Sequence, residues 1–208
     1  MRRVVFALVV LSLLSVCSYA SVYPPNYGFE MGDTSYWTEN PDNGSIGVVT
    51  SWTHLDSGGS ADFTWTAPEG VEFAVLAGGS EDQPVQLSRI LTLAPGATAD
   101  GLAALSGEDY MPFNDTARVT ISDLVTQQVL WSKDISAVGD WSYTPWQYWS
   151  FTSQESVTKN FMLTYETWNV GDSILPSYGL FDAAPGLPAF ALVGVVPVIG
   201  ALIRRRTR

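Results

Sequence analysis

The chain has 208 residues, a formal net charge of −11 and a single cysteine, Cys17. All 21 acidic residues but only four of the ten basic residues lie between positions 21 and 184, which gives this segment a formal charge of −17. Such a charge repels phosphate groups and excludes DNA and RNA as partners. It attracts cations, including calcium, although solvation of the surface is a sufficient role for any single acid.

The first twenty residues have the three parts of a secretory signal peptide. Two arginines precede an apolar core over residues 4–16, and Ser18-Tyr19-Ala20 supplies the small residues that a signal peptidase recognises. We expect cleavage after Ala20, which removes Cys17 and leaves a mature chain without disulfides. The alternative is a retained N-terminal membrane helix, which the shortness of the apolar core disfavours.

Residues 21–184 have the size of one domain, and their pattern predicts an all-β fold. Short alternating apolar stretches are separated by turn signals such as Gly58-Gly59 and Pro95-Gly96, and no long stretch has helical spacing. The predicted strands cover residues 44–53, 60–66, 72–76, 85–93, 98–106, 116–123, 128–134, 147–152, 160–167 and 177–182. A series of this kind is typical of a β-sandwich or barrel.

Two of the predicted strands carry additional information. Phe161, Leu163 and Tyr165 alternate with polar residues, so they are expected to share one buried face. Residues 97–105 are rich in alanine and leucine, but Gly101 interrupts them and both flanks are strand-like, so they are interpreted as a strand.

All eight tryptophans lie in the central segment, and their rings make sugar binding one hypothesis. Aromatic rings stack on the apolar faces of sugars and need only a few polar neighbours to orient the ligand. The densest aromatic cluster, over residues 141–149, provides the candidates Trp141, Tyr143 and Trp146. The alternative is that these rings pack the core between the sheets.

Enzymatic chemistry finds little support. His54 is the only histidine, which excludes a site built on several imidazoles, and we expect it in an exposed loop. Acidic pairs such as Glu81-Asp82 and Glu108-Asp109 are present, but nothing selects two carboxylates across a cleft as a glycosidase requires. The sequence therefore favours a protein that is not an enzyme.

The last segment, residues 185–208, has an apolar run that ends in a basic cluster. The run covers residues 189–203 and is close to the ~17–25 residues that cross a bilayer. The arginines that follow, Arg204, Arg205, Arg206 and Arg208, favour a cytoplasmic end. This topology places the preceding domain outside the cell.

This tail resembles the C-terminal sorting signals of the PEP-CTERM type, which have a short motif, an apolar helix and a basic end. The resemblance implies that an exosortase-like membrane protease removes the tail. Pro185, Gly186 and Pro188 stand where that family has Pro-Glu-Pro, as in a variant class of the signal. The alternative is a permanent membrane anchor, and both place the domain at the cell surface or in the extracellular space.

The central segment resembles the galactose-binding-like jelly-roll domains of carbohydrate-binding modules and of many PEP-CTERM proteins. The resemblance rests on residues 28–33, Gly-Phe-Glu-Met-Gly-Asp, followed by Trp37, and on the stretches over residues 109–117 and 177–182. It implies a jelly-roll β-sandwich, and the patterns at the two ends of the chain add an N-terminal signal helix and a C-terminal hydrophobic helix.

The same resemblance implies a structural calcium ion. In those modules the glutamate of the opening motif and an aspartate of the last strand often bind it; these correspond here to Glu30 and Asp182, with loop carbonyls completing the ligand set. The alternative is that Glu30 only accepts hydrogen bonds from a turn. A second possible site, the loop with Asp109, Asn114 and Asp115, is better explained as a turn.

The sequence thus predicts an exported, surface-displayed, non-enzymatic protein of the cell envelope or extracellular matrix that binds polysaccharide. Two alternatives remain open at this point: a purely structural surface protein, and a hydrolase that acts on glycosides.

Overall fold

The structure, a computed structural model, describes residues 24–41, 44–79, 83–110, 115–136, 139–171 and 175–183. These residues contain strands and turns, and none of them forms a helix long and apolar enough to cross a membrane. The all-β prediction is confirmed. The expected signal helix over residues 1–20 and the tail over residues 185–208 lie outside the described residues.

Twelve strands are present in the described residues. They are β1 (Thr38–Asn40), β2 (Ser45–Val49), β3 (Ser51–Leu55), β4 (Ala61–Thr66), β5 (Phe73–Ala77), β6 (Val85–Leu93), β7 (Thr98–Ser106), β8 (Thr116–Asp123), β9 (Val129–Ile135), β10 (Gln147–Thr152), β11 (Lys159–Trp168) and β12 (Tyr178–Ala183).

The strands form a two-layered antiparallel sandwich. The first sheet has the order β1-β6-β11-β8-β9, the second has the order β10-β7-β12-β5-β2, and β3 pairs only with β4. From β5 to β8 the chain changes sheet at every connection. This architecture is that of the predicted jelly-roll class of β-sandwich.

The observed strand bounds test the alternation pattern closely. Strands β6, β7, β8 and β10 begin and end where the sequence predicts, including the alanine-rich β7. The single strand predicted over residues 44–53 is wrong, because the chain bends at Thr50 and sends β2 and β3 to different sheets. Strand β1 was not predicted, because its three residues are all polar and exposed and therefore show no alternation of apolar and polar residues.

The core lies between the two five-stranded sheets. Phe161, Leu163 and Tyr165 of β11 are fully buried, which confirms their predicted shared face. The ring of Tyr165 stacks on Phe181 of the opposite sheet at 4.5 Å, and Trp149 meets Tyr165 edge-on at 6.1 Å. Each such side chain contributes roughly 1.5–3 kcal/mol through burial, so this layer fixes the two sheets face to face.

Candidate functional site

The aromatic residues predicted to bind sugar lie largely in a second apolar cluster, between the β3–β4 hairpin and the outer face of the second sheet. Tyr143 stacks on Phe63 at 4.7 Å, and Trp146 meets Phe73 edge-on at 5.4 Å while its Nε1 donates to a backbone carbonyl of β4. Trp141 lies in the preceding turn with φ of +48°. All three side chains are half-buried, so much of their surface is used for packing; their role in sugar binding stays a prediction.

His54 contradicts the expectation of an exposed loop, because it is fully buried in β3. Its Nδ1 lies 3.0 Å from Ser106 Oγ, and its Nε2 lies 3.1 Å from the carbonyl oxygen of Trp141. A carbonyl only accepts, so Nε2 carries a hydrogen and donates it; in the neutral imidazole, Nδ1 then accepts from the serine hydroxyl. The histidine therefore fastens the hairpin to β7 and to the turn that carries Trp141.

The tryptophans do not form an open platform. Trp37, Trp65 and Trp149 are buried, and the other five are half-buried. In the described part of the chain, the exposed large aromatic side chains are tyrosines: Tyr36, Tyr110 and Tyr148.

The outer face of the first sheet arranges polar side chains in rows that run across the strands. The register places one hydroxyl side chain from each of the five strands side by side, and we call this set the hydroxyl row: Thr38, Ser88, Thr164, Thr120 and Ser132. A parallel set, which we call the charged row, lies one step along the strands: Asn40, Gln86, Glu166, Arg118 and Asp134. Neighbouring side chains in a row are separated by about 4.8 Å, the spacing of strands.

Two adjoining cavities make this face a groove. The larger has a volume of about 410 Å³ and is lined by members of both rows together with Met162. The smaller, of about 320 Å³, is lined by Tyr36, Thr38, Arg89, Ile90 and Met162, so Met162 belongs to both. We call the two cavities together the groove; it crosses the first sheet from Tyr36 toward β9.

Tyr36 stands at one end of the groove with an unusual backbone. Its side chain is 63% exposed, and its φ of +71° lies in the left-handed region that bulky residues seldom occupy. Strain of this kind is common at ligand-contacting positions. Nothing in the sequence pattern distinguishes this tyrosine from other loop residues.

Hydrogen bonds and an ion pair organise the charged row. Gln86 Nε2 donates to Glu166 Oε1 at 2.7 Å, and Thr120 Oγ1 donates to Glu166 Oε2 at 3.5 Å. Arg118 pairs through Nε with Asp134, and its guanidinium lies 4.8 Å from the ring centre of Trp168. The polar groups of the groove are therefore held in place before any ligand arrives.

The two predicted calcium ligands lie close enough to interact electrostatically. Asp182 is fully buried in β12; its Oδ1 accepts from the backbone N–H of Ala183 at 2.7 Å, while its Oδ2 has no hydrogen-bond partner. Burial, with a smaller contribution from the carboxylates of Glu30 and Glu69, raises the pKa of Asp182 to about 8, although the backbone N–H groups of Ala183 and Glu69 act to lower it. A cation beside these carboxylates would offset the free-energy cost of keeping the buried Asp182 ionised.

Glu30 also makes the contacts of the alternative interpretation. It is exposed, and its carboxylate accepts from the backbone N–H groups of Val71 at 2.9 Å and Glu72 at 3.3 Å. Among the described residues, no three His, Cys, Asp or Glu side chains converge on a metal position. Calcium takes carbonyl and carboxylate oxygens together, so the oxygen donors at this place fit the ion in kind.

Asp115, in the second predicted calcium loop, accepts hydrogen bonds from two backbone N–H groups. Its Oδ1 accepts from the N–H of Val170 and its Oδ2 from the N–H of Ser177, both at 2.9 Å. Burial raises its pKa to about 6, with a smaller contribution from Asp109. The side chain thus joins the start of β8 to the chain on either side of residues 172–174; Asn114 lies outside the described residues.

Comparisons with known proteins show similarity in three dimensions only: no family model and no curated protein matches the chain. The module TmCBM61, solved with β-1,4-galactotriose, is 17% identical over 77% of this chain and 94% of its own, with a TM-score of 0.45. CBM27-1 of Caldicellulosiruptor saccharolyticus, solved with mannohexaose, is 12% identical over 80% and 99%, with a TM-score of 0.49.

Other similar structures come from other kinds of protein. The K1 cleaved adhesin domain of Lys-gingipain from Porphyromonas gingivalis W83 is 11% identical over 76% of this chain and 96% of its own, with a TM-score of 0.43. The α-L-arabinofuranosidase MgGH51 is also similar, although the chain covers only 26% of it. At such identities these likenesses assign no function, which has to be argued from the groove.

Proposed function

We propose that this protein is a non-enzymatic carbohydrate-binding component of the cell envelope or extracellular matrix, and that the groove on the first sheet holds the glycan. The observation that carries the proposal is the hydroxyl row, to which each of five strands contributes one Ser or Thr. Four of its members, Thr38, Ser88, Thr164 and Thr120, line the groove. Hydroxyl groups both donate and accept, which suits the many hydroxyls of a sugar chain.

The groove also offers apolar surface at its Tyr36 end. Ile90 and Met162 line the smaller cavity next to the exposed ring of Tyr36. A pyranose has polar edges and apolar faces, so a site for it combines a few oriented polar groups with aromatic or aliphatic contacts. The groove has both kinds of surface side by side.

The test is a glycan screen followed by calorimetry on variants of the domain. The panel includes β-1,4-linked mannan, galactan and glucan, and release of reducing ends is monitored to detect hydrolysis. Thr164→Val removes the central hydroxyl of the row and is expected to weaken binding at least about fivefold, the worth of one hydrogen bond. Thr53→Val, which removes a hydroxyl from the β3–β4 hairpin, is the matched control and leaves affinity unchanged.

Two results would contradict the proposal. One is the absence of binding to any glycan, which favours the purely structural alternative. The other is a loss of affinity in a Trp146→Phe variant with no change in Thr164→Val, which would move the site to the aromatic cluster of Trp141, Tyr143 and Trp146. Release of reducing ends would favour the hydrolase.

We also propose that Asp182 and Glu30 hold a structural calcium ion, with backbone carbonyls completing its ligand set. Support comes from the buried Oδ2 of Asp182, which has no hydrogen-bond partner, and from the nearby carboxylates of Glu30 and Glu69. Calcium bound there would tie the opening segment to the last strand.

For the ends of the chain we propose export and sorting of the PEP-CTERM type. Residues 1–20 act as the signal peptide, and residues 185–208, with Pro185, Gly186, Pro188 and the arginine cluster, act as the tail that an exosortase-like protease removes. Mass spectrometry of the protein from its native host tests this proposal. A mature chain that begins at Ser21 and lacks Arg204–Arg206 supports sorting, whereas a retained tail indicates a permanent anchor.

A further inference from the structure

We infer that the groove binds uncharged glycan chains and excludes polyanionic ones, and that Glu166 is the residue that sets this specificity. The inference rests on the proposed glycan-binding function and names its substrate class. It follows from the contacts that the charged side chains of the groove already make within the protein.

Glu166 lines the larger cavity of the groove. It lies on β11, the central strand of the first sheet, and its register neighbours are Gln86 on one side and Arg118 on the other. The amide of Gln86 and the hydroxyl of Thr120 both donate to its carboxylate. Two hydrogen-bond donors that line the groove are thus already bonded to Glu166. A ligand that lies beside Glu166 therefore contacts a carboxylate.

Arg118 does not supply a compensating charge to a ligand. Its guanidinium pairs with Asp134 at the edge strand and stacks over Trp168. Within the charged row, one guanidinium therefore stands against two carboxylates, those of Glu166 and Asp134. The charged row therefore keeps a net negative charge. Glu166 lines the larger cavity, and Asp123, the second carboxylate in that lining, is paired with Lys159.

The second cation that lines the groove, Arg89, also has its contacts within the protein. Arg89 borders the smaller cavity but is only 6% exposed, and it donates to the carbonyls of Pro25 and Asn26. Its guanidinium lies 4.8 Å from the ring centre of Trp37. In the described part of the chain, both cations that line the two cavities thus have partners within the protein.

The net charge of the whole domain also disfavours the binding of anionic glycans. Its formal charge of −17 surrounds the groove with a negative potential, which lowers the local concentration of anionic ligands. A carboxylate on each sugar of a polyuronate would add repulsion with Glu166 at short range. Neutral chains experience neither effect.

The experiment compares pairs of glycans that share a linkage and differ at C6. Oligosaccharides of β-1,4-mannan and of polymannuronate form one pair, and those of β-1,4-glucan and β-1,4-glucuronan form another. Affinities are measured for the whole domain at low and at high salt. We expect the uronate of a bound pair to bind at least about tenfold more weakly at low salt, and the difference to shrink at high salt because salt screens charges.

Variants separate Glu166 from the general charge of the domain. Glu166→Gln retains the size of the side chain and an acceptor for Gln86, and it is expected to lower the ratio of neutral to uronate affinity at least about threefold. Asp62→Asn removes one charge from the exposed face of β4 and leaves the ratio unchanged. Circular dichroism verifies that both variants are folded.

The possible failures are distinct. A uronate that binds as tightly as its neutral partner, or a ratio that Glu166→Gln does not change, overturns this inference and leaves glycan binding intact. Failure of every neutral and anionic glycan to bind overturns the proposed function and this inference with it.

Discussion

The indole of Trp149 lies directly against the backbone of its cross-strand partner Gly101. A Cβ added at Gly101 would be 2.7 Å from Cε2 and Cζ2 of the indole and 2.7 Å from the carbonyl oxygen of Asp182. A side chain at this position would therefore push apart β10, β7 and β12. The glycine that interrupts an alanine-rich strand in the sequence is a packing requirement of the core.

Gly101→Ala is expected to lower the free energy of unfolding by about 1–3 kcal/mol, the usual cost of overpacking. Gly47→Ala is the matched control on β2, because a Cβ there meets no atom within 4 Å. Urea unfolding followed by tryptophan fluorescence measures both variants. Equal stability of the two would show that the contact between Trp149 and residue 101 relaxes without cost.

His54→Phe is expected to destabilise the protein by about 2–6 kcal/mol. The phenyl ring retains much of the volume but leaves the Ser106 hydroxyl and the Trp141 carbonyl without their partner, and each buried polar group so orphaned costs about 1–3 kcal/mol. A double-mutant cycle with Ser106→Ala isolates one of the two bonds. A coupling energy near zero would contradict the assigned contact.

Asp115 makes stability depend on pH. Its pKa in the folded protein, about 6, is above the 3.8 of an unperturbed aspartate, so the native state holds the proton more tightly than the unfolded chain. The contribution is complete below about pH 4 and is lost as pH rises through about 6, by about 3 kcal/mol for a shift of about two units.

Urea unfolding between about pH 4 and pH 7.5 measures this contribution as a difference between proteins. Asp115→Asn cannot release a proton and is expected to lack that part of the fall in stability. The exposed Asp62→Asn variant should retain the slope of the wild type. A slope that is the same in all three proteins would assign the pH dependence to other groups.

Calcium is expected to stabilise the protein through Asp182. For a Kd of about 10⁻⁴ M, a value found in extracellular sites, about 10 mM calcium raises the free energy of unfolding by about 2.7 kcal/mol. EDTA reverses the effect, and Asp182→Asn abolishes it, whereas Asp62→Asn does not. Thermal unfolding with and without calcium measures this; identical responses of wild type and Asp182→Asn would place the ion elsewhere.

Tyr36→Gly is expected to weaken glycan binding without lowering the stability of the fold. Glycine adopts a φ of +71° without strain, and this gain offsets the entropy that glycine loses on folding, so stability stays the same or rises by up to about 1 kcal/mol. The loss of the exposed ring weakens glycan binding at the end of the groove. A variant that unfolds readily but still binds would show that Tyr36 supports the fold instead.

The strand pattern was predictable where each strand has one buried face. The alternation of Phe161, Leu163 and Tyr165 with polar residues predicts their burial, because period-two spacing places them on one side of a strand. The same reasoning failed at Thr50, where an apolar stretch passes from one sheet to another without a glycine or proline to mark the bend. It also failed at His54, whose environment depends on which sheet the hairpin covers.

The sequence alone determined that the described domain is all-β, where most of its strands lie and how acidic it is, because local alternation and composition encode these properties. Only the tertiary structure decided that Thr38, Ser88, Thr164, Thr120 and Ser132 stand in one row. Their strands pair in the order β1-β6-β11-β8-β9, and that order depends on contacts between residues far apart in the chain. Any binding surface assembled across such a sheet is invisible in the linear pattern of its strands.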